Sequence, residues 1–391
     1  MEYISVPEAA SKWGVHVRIV QQYCKQGRID GARKYGNAWL IPAKAGKPAR
    51  LSRAVKTPSP VSPYMGCGLL NAVLTMPRKN ADHVLSSLES THQRLQCAAE
   101  LAYLRDDFRP AAQRFFDVES ANETKMCAAR LGIMAAIACG DFGLYQKIER
   151  FLEHCLHSES EQTRFYAQMT LAAPALNLFL PEAAPMPQLD QKKHFDLSEE
   201  VRPMMMYLHA KSLQGREKFT ELLATCEAAL LFWQKPYTFT LLDVYLLLFC
   251  AEACFRLGKT AEYDRWLCSA LELALPQEII TPAAIFLPRL DARFLTTADR
   301  IDPAMAKRVV ALSRTLAHNW RLFHQSYAKA HIMRILLPRE YRAAQILTQG
   351  NSVAQAAREL AQTEDEIRDM VRSACKKLSV ARPSDLADYI R

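Results

Sequence analysis

The pattern of hydrophobic and polar positions predicts a mostly α-helical protein. Apolar residues recur at the three- and four-residue spacing of helices in most stretches of the 391-residue chain. Half of the residues are hydrophobic and only 13 are glycine, a composition that also favours helices. One exception lies near the start, where Ala38-Trp39-Leu40-Ile41 has the pattern of a short strand ended by Pro42. We therefore expect helices throughout, with one small β-hairpin near the N-terminus.

Two short helices are predicted before this strand. Ser5, followed three residues later by Glu8, has the spacing of a capping box, so a helix is expected to begin at Val6. Gly14 permits a tight turn into a second helix near residues 16–26. The first 48 residues are therefore expected to form a small domain of two helices and a hairpin.

The second helix has one apolar and one polar side. The apolar side carries Val20, Tyr23 and Cys24. The polar side carries side chains of the types that hydrogen-bond to base edges and phosphates, namely Arg18, Gln21, Gln22 and Lys25. After the helix, turns at Gly31 and Gly36-Asn37 would form a hairpin that lays three further bases along a phosphate backbone, namely Arg28, Arg33 and Lys34.

The order of these features resembles the MerR-like and excisionase-like winged helix-turn-helix domains. The match covers about 40 residues and consists of Pro7-Glu8-Ala9-Ala10, Trp13-Gly14, Val20-Gln21, Cys24, Gly27-Arg28-Ile29, Gly31-Ala32, Gly36, Trp39 and Ile41-Pro42. His16 departs from the family pattern, which more often has a Ser-type N-cap. The resemblance implies that residues 1–48 are a DNA-binding domain with a recognition helix and a wing.

The net charge of +9 is concentrated in this head. Residues 1–57 hold eleven Lys and Arg against three acidic residues, whereas residues 336–391 hold nine bases and eight acids. The long middle of the chain is neutral. A small basic head predicts a polyanionic partner, and double-stranded DNA is the polyanion that the resemblance implies. A solvated surface without a partner is the alternative explanation of the same charge.

The middle, residues 65–335, follows a Pro-rich basic linker over residues 49–64. Four segments share a polar or Gly-containing turn followed by an aromatic residue and helical apolar spacing: 103–116, 138–152, 213–230 and 256–276. Phe108 and Phe142 lie 34 residues apart, the period of the tetratricopeptide repeats that this region resembles. Stacked helix pairs would form a concave surface, so we expect the middle to sense a small ligand or a protein partner.

The tail, residues 336–391, has the pattern of four helical stretches with clear ends. Pro338 opens the first, Gly350-Asn351 closes it, Ser352 caps the second, and Thr363 with Glu366 forms a capping box for the third. The tail resembles the LuxR-type helix-turn-helix domain over about 55 residues, through Leu336, Pro338-Arg339-Glu340, Gly350, Ser352, Ala356-Ala357, Leu360, Lys377-Leu378, Val380 and Asp385-Leu386.

This second resemblance implies that the third tail helix contacts DNA. Its candidate bases are Arg368, Arg372 and Lys376. The same helix also carries four acidic residues that phosphates would repel, namely Glu364, Asp365, Glu366 and Asp369. Two interpretations stay open: the tail binds DNA weakly, or it has become a dimerisation or partner-docking surface.

No catalytic chemistry is expected. The chain has no Gly-rich phosphate loop of the GxxxxGK[ST] type and no clear nucleophile motif. Glu153-His154-Cys155 with His157, and Cys250 with Cys254, have metal-ligating side chains, but surface and core positions of helices explain them better. We therefore expect neither a metal nor another cofactor.

The location of the protein is predicted from two further features. The most apolar run, residues 241–255, contains Asp243 and Glu252 and is shorter than a membrane helix, so a core helix and no membrane contact are expected. Eleven scattered cysteines without CxxC pairs or a secretory pattern indicate reduced thiols in the cytoplasm.

The sequence thus predicts a cytoplasmic, sequence-specific DNA-binding transcription regulator rather than an enzyme. The main alternative is an interaction scaffold whose helical repeats bind another regulator and whose LuxR-like tail docks or dimerises. A recombination accessory factor that bends DNA is a second alternative, although such factors are small. A twofold-symmetric operator would require a homodimer, for which the sequence identifies no interface.

Overall fold

A computed structural model of the chain separates it into two compact units, Met1–Val61 and Ser62–Arg391. The mostly α-helical prediction is confirmed, with one small three-stranded antiparallel sheet in the first unit. The predicted linker over residues 49–64 lies outside the described residues. The residues that the structure describes are 3–25, 29, 31–36, 38–48, 76–77, 82–88, 91–118, 123–186, 201–233, 238–239 and 241–390.

In the first unit, the first helix packs against both the three-stranded sheet and the second helix. Its elements in chain order are β1 (Tyr3–Ser5), α1 (Val6–Trp13), α2 (Val17–Lys25), β2 (Arg33–Tyr35) and β3 (Ala38–Pro42). The central strand is β3, with β1 and β2 antiparallel on its two sides. One apolar core is formed by Val6, Ala9, Ala10, Trp13, Val20, Tyr23, Cys24, Ile29 and Ile41.

Local hydrogen bonds explain why α1 begins and ends where it does. Ser5 Oγ accepts from the amide of Glu8 at 3.4 Å, and Glu8 Oε2 accepts from the amide of Ser5 at 2.7 Å. These two bonds confirm the predicted capping box, which satisfies amides that the first helical turn leaves unpaired. The helix ends at Gly14, whose φ of +61° is a conformation that favours glycine.

The second unit consists mainly of helices that pack in chain order. They are α3 (Asp82–Ser87), α4 (Thr91–Leu104), α5 (Arg109–Asp117), α6 (Glu123–Cys139), α7 (Phe142–Cys155), α8 (Glu161–Asn177), α9 (Val201–Gly215), α10 (Phe219–Trp233), α11 (Leu241–Arg256), α12 (Thr260–Ala274), α13 (Thr281–Phe286), α14 (Arg293–Ile301), α15 (Pro303–Ala330), α16 (Ile332–Ile335), α17 (Pro338–Thr348), α18 (Val353–Leu360) and α19 (Glu364–Leu378). Short 3-10 helices span Pro181–Ala183, Leu275–Gln277, Leu287–Arg289 and Pro383–Asp388, and β4 (Met76–Pro77) pairs with β5 (Thr238–Phe239).

Four turns of the second unit share one backbone form. They join the packed pairs α4 and α5, α6 and α7, α9 and α10, and α11 and α12, where the four repeat-like segments were predicted. Each turn has one left-handed residue, namely Asp106, Gly140, Glu217 and Gly258. In each turn the following amide donates to the carbonyl five residues earlier, at 2.8–3.0 Å. The same left-handed residue and hydrogen bond also follow α8 at Phe179, α18 at Ala361 and α19 at Ser379, so this turn is a common form of helix C-terminus.

Helix α11 forms the centre of the second unit. Every residue from Leu241 to Cys254 is buried, which confirms the predicted core helix. Two of its buried residues are acidic, and the carboxylate of Glu252 is paired with Arg289. Among the residues that the structure describes, every helix is too short or too polar to span a bilayer.

The predicted ends of the tail helices are confirmed. Helix α17 begins at Pro338 and is followed by Gly350 at φ +89°, and Ser352 Oγ caps α18 by accepting from the amide of Gln355 at 3.2 Å. Thr363 and Glu366 form the predicted capping box of α19. The inner face of α19 is buried at Ile367, Val371, Ala374 and Leu378. Within the second unit, α19 packs against α15 as well as against α17 and α18.

Candidate nucleic-acid interface

Helix α2 presents one polar face to solvent. Val20, Tyr23 and Cys24 are buried, as predicted. The predicted contact residues Arg18, Gln21 and Gln22 are exposed. At 100° per residue, the positions of Arg18, Gln22 and Lys25 fall within a stripe about 60° wide, and Gln21 lies at one border of that stripe. A narrow stripe of this kind is suited to entering a DNA groove.

An apolar residue borders the same face and was not identified from the sequence. Ile19 is 37% exposed, although it is a large aliphatic side chain in a short helix. It lies on the side of the polar stripe opposite Gln21, about 60° from Gln22. Apolar contact with the thymine methyl group is one way in which proteins read the major groove. Its place between Arg18 and the buried Val20 was the signal that could have revealed it.

His16 caps the start of α2 through its ring. The amide of Arg18 donates to His16 Nδ1 at 3.3 Å, so the imidazole takes the role that a serine hydroxyl has at most helix N-termini. The hydrogen bond requires Nδ1 to be unprotonated, which defines the tautomer. The departure of His16 from the family pattern therefore preserves a capped helix and holds Arg18 at the first turn.

The hairpin places its two described bases on opposite faces. Arg33 lies opposite Leu40 in the β2 and β3 register, and Lys34 lies opposite Trp39. Because side chains alternate along a strand, Lys34 shares the Trp39 face and Arg33 shares the Leu40 face. Both side chains are exposed on the edge strand. The third predicted base of the hairpin, Arg28, and Asn37 of its turn lie outside the described residues.

Two other bases of the head stabilise its fold. Lys12 Nζ donates to the carbonyl oxygen of Ala43, which ties α1 to the residues that follow β3. Lys47 Nζ donates to the carbonyl oxygen of Trp13 at 3.3 Å, at the end of α1 where carbonyl groups have no helical partner. Part of the basic excess of the head is therefore structural, and the face of α2 is distinct from it.

The candidate bases of the tail are all paired with acids. Arg368 lies 2.7 Å from Glu364 and 2.7 Å from Asp365. Arg372 lies 2.7 Å from Asp369, and Lys376 lies 3.5 Å from Glu217 in the turn between α9 and α10. Surface ion pairs of this type contribute little stability, but each one offsets a charge that phosphates would otherwise attract.

Glu340 fixes α19 against α17. Lys377 Nζ lies 2.7 Å from Glu340 Oε2, and Ser373 Oγ donates to Oε1 at 2.6 Å. Burial alone would raise the pKa of Glu340, but these two partners and the amide of Leu337 lower it below its usual value. The Pro338-Arg339-Glu340 segment of the LuxR resemblance thus has a structural function in this chain.

The metal-ligating residue types do not converge within the described ranges. No group of three or more His, Cys, Asp or Glu side chains there could hold an ion. The thiols of Cys250 and Cys254 are buried inside α11, and burial raises the pKa of Cys254 to about 11. Such thiols are protonated at neutral pH, which makes them poor ligands and poor nucleophiles.

Comparisons with protein-family models, with curated proteins and with solved structures found no match for this chain. The polar face of α2 and the exposed bases Arg33 and Lys34 of the hairpin are the candidate surfaces of the head.

Proposed function

We propose that the chain is a sequence-specific DNA-binding transcription regulator whose head is a winged helix-turn-helix domain. The observation that carries this proposal is the exposed pair Arg18 and Gln22 on a helix whose opposite side is buried, with the position of Lys25 on the same stripe. Arginine pairs with guanine edges and glutamine with adenine edges in the major groove. The stripe belongs to a head that holds nearly all of the net charge of the protein.

In this proposal α2 is the recognition helix and the hairpin is the wing. A wing that enters the minor groove has a phosphate strand on each side. Arg33 and Lys34 lie on opposite faces of the hairpin, so each would contact a different strand. Ile19 would contact a thymine methyl group at the border of the recognition surface. The resemblance to MerR-like and excisionase-like domains supports the same arrangement.

The middle serves as the sensing part of the regulator. Its four packed helix pairs support the resemblance to tetratricopeptide repeats, which bind partners on their concave side. A signal bound there would alter how the end domains are presented to DNA. We assign the protein to the cytoplasm, where its DNA target would be.

For the tail, the charges favour protein docking over DNA binding. Its three candidate bases are ion-paired, and the exposed side of α19 also carries Glu364, Asp365 and Asp369. This helix therefore offers no excess of positive charge to DNA. We propose that the LuxR-like tail docks a protein partner or a second copy of the chain, while the head reads the sequence. A scaffold that never contacts DNA is the alternative for the whole protein.

Selection from random duplexes tests the proposal. Full-length protein is expected to enrich one sequence at physiological salt, and the double substitution Arg18→Ala and Gln22→Ala is expected to abolish that enrichment. Arg314→Ala, which removes an exposed base of α15, is the control and should enrich the same sequence. If the double variant still enriched the wild-type sequence, the reading surface would lie outside α2. If wild-type protein enriched nothing, the scaffold would be the better explanation.

A further inference from the structure

The second unit encloses a cavity that the DNA-binding proposal does not use. Its volume is about 420 Å³, within the range of about 300–1,000 Å³ that is typical of small-molecule sites. Helices α6, α9, α13 and α15 contribute to its wall. Ala317 and Arg321 of α15 are exposed lining residues and mark its mouth.

Most of the wall is apolar. Aliphatic side chains line it from three helices, including Ile137, Ile285 and Leu316. Tyr103, Phe179 and Trp320 add aromatic surface. An apolar wall of this extent favours a hydrocarbon or aromatic body over a sugar or a nucleotide, because polar groups would lose water without gaining hydrogen bonds.

Besides Arg321 at the mouth, two cations interrupt this wall: Arg289 pairs with a carboxylate directly, and Lys211 is linked to the same carboxylate through an amide. Lys211 is only 3% exposed, and its Nζ donates to Gln214 Oε1 at 2.9 Å. Arg289 donates through Nε to Glu252 Oε1 at 2.6 Å, and Gln214 links the two sides by donating to the other oxygen of Glu252. When Lys211 is protonated, the three charged side chains Lys211, Arg289 and Glu252 together carry a net charge of +1.

The buried position of Lys211 is energetically unfavourable for its charge. Burial, followed by the nearby charge of Arg289, lowers the pKa of Lys211 from 10.5 to about 7, although Glu252 opposes the shift. A hydrophobic residue would fill the same place without this cost. A lysine here is therefore best explained by a ligand that brings a negative charge.

Phe179 is held in a strained conformation beside the same cations. Its φ is +58°, a left-handed conformation that is unfavourable for a bulky side chain. The strained backbone places the Phe179 ring 4.8 Å from Lys211 Nζ and 4.4 Å from the guanidinium carbon of Arg289. The ring therefore contacts both cations and lines the cavity beside them.

We propose that this cavity binds a monocarboxylate with an apolar body, with the carboxylate paired to Lys211 and the body against the apolar wall. A single negative charge would neutralise the buried group, whereas a phosphate dianion would overcompensate it. The mouth at Arg321 would admit the anion from solvent. This ligand would be the signal that the middle senses in the proposed regulator. The binding itself does not depend on that function; only its biological role does.

Isothermal titration calorimetry of the full-length protein without DNA tests whether the cavity binds a monocarboxylate. The probes are octanoate and 3-phenylpropanoate, which distinguish an alkyl from an aryl body, together with neutral 1-octanol and inorganic phosphate. At least one carboxylate is expected to bind with 1:1 stoichiometry and about 10- to 100-fold more tightly than 1-octanol, as a charge-assisted hydrogen bond predicts. Equal affinity for 1-octanol, affinity for phosphate equal to that of the carboxylates, or no carboxylate binding would overturn the proposal.

Two variants locate the binding site. Lys211→Met keeps the length of the side chain and is expected to weaken carboxylate binding about 10- to 100-fold. Lys218→Met, at an exposed lysine that pairs with Glu221, is the matched control and should bind as wild type does. Ala317→Trp changes an exposed residue at the mouth and should block binding without affecting the fold. Wild-type affinity in both Lys211→Met and Ala317→Trp would contradict the assigned site.

Loss of DNA binding and loss of ligand binding are separate results. A protein that binds octanoate but enriches no DNA sequence keeps this inference and loses the proposed function. A protein that enriches DNA but binds no carboxylate loses only this inference.

Discussion

The indole of Trp320 stacks on the imidazole of His324, with ring centroids 4.9 Å apart and planes inclined by 27°. Trp320 lines the cavity, and its Nε1 donates to the carbonyl oxygen of Asn177 at 3.1 Å. His324 in turn contacts the tail: its Nε2 lies 3.5 Å from the Oγ of Ser379, the residue that caps the C-terminus of α19. Helix α15 therefore connects the wall of the cavity to the tail through two adjacent rings.

The stability of the second unit should depend on pH through His324. Burial lowers the pKa of His324 from 6.5 to about 4, so the unfolded chain binds more protons than the folded chain between these values. The contribution of the neutral His324 ring to the free energy of unfolding has its full value above pH 6.5. It is lost as the pH falls towards 4, by up to about 3 kcal/mol in total.

His324→Gln removes this titrating group and tests the expectation. Urea unfolding followed by circular dichroism at pH 4.5 and pH 7 should show a smaller loss of stability on acidification in the variant than in wild type. Carboxylates such as Glu149 and Glu340 titrate in both proteins, so their effect cancels in the comparison. His318→Gln, at an exposed position of the same helix, is the control. An unchanged pH dependence in His324→Gln would show that the ring is not the group concerned.

The strained backbone at Phe179 leads to an unusual order of stabilities. Phe179→Ala removes the ring but retains a side chain at φ +58°, whereas Phe179→Gly removes the ring and relieves the strain. The glycine variant is therefore expected to be more stable than the alanine variant, by about 1 kcal/mol. Urea unfolding of both variants measures the difference. An alanine variant at least as stable as the glycine variant would mean that the backbone is not strained there.

The tail should bind DNA more strongly once its acids are neutralised. The triple substitution Glu364→Gln, Asp365→Asn and Asp369→Asn frees Arg368 and Arg372 from their ion pairs. We expect tighter binding to any duplex, with a slope of log affinity against log salt that is steeper by up to about 2. The sequence that the protein enriches should not change, because the head reads it. Fluorescence anisotropy over a range of salt concentrations measures the slope.

A matched control separates local from global charge. Neutralising three exposed acids of the middle, Glu221, Asp264 and Glu272, changes the net charge equally but leaves α19 unaltered. This control should show a smaller increase in slope than the tail variant. If the tail variant instead enriched a new sequence, the LuxR-like helix would be able to recognise DNA. Its acidic residues would then be what prevents that recognition in the wild-type protein.

Features determined by neighbouring residues could be predicted from the sequence. The capping boxes at Ser5 and Thr363 lie where they were expected, because each depends on residues three positions apart. The division of α2 into a buried and an exposed side was also correct, since helical periodicity determines it. The ring of His16 as a helix cap was not anticipated, because histidine is an uncommon residue at that position.

Features that depend on distant residues could not be predicted. Lys211, Glu252 and Arg289 come from three separate helical segments, so neither periodicity nor spacing brings them together. The pairing of Lys376 with Glu217 joins residues 159 positions apart. The ion pairs of Arg368 and Arg372 differ from these, because they join residues three or four positions apart on α19 and so follow from the helical spacing alone.

We propose above all that α2 reads bases while the hairpin holds phosphates. The most direct measurement is the affinity of full-length wild type, Arg18→Ala, Gln22→Ala and Lys34→Ala for the enriched duplex and for a scrambled duplex, over a range of salt concentrations. Arg18→Ala and Gln22→Ala should each lose about 1–3 kcal/mol on the enriched duplex and little on the scrambled one. Lys34→Ala should weaken both duplexes alike and reduce the salt slope by about 1. Equal losses on both duplexes for all three variants would contradict base reading by α2.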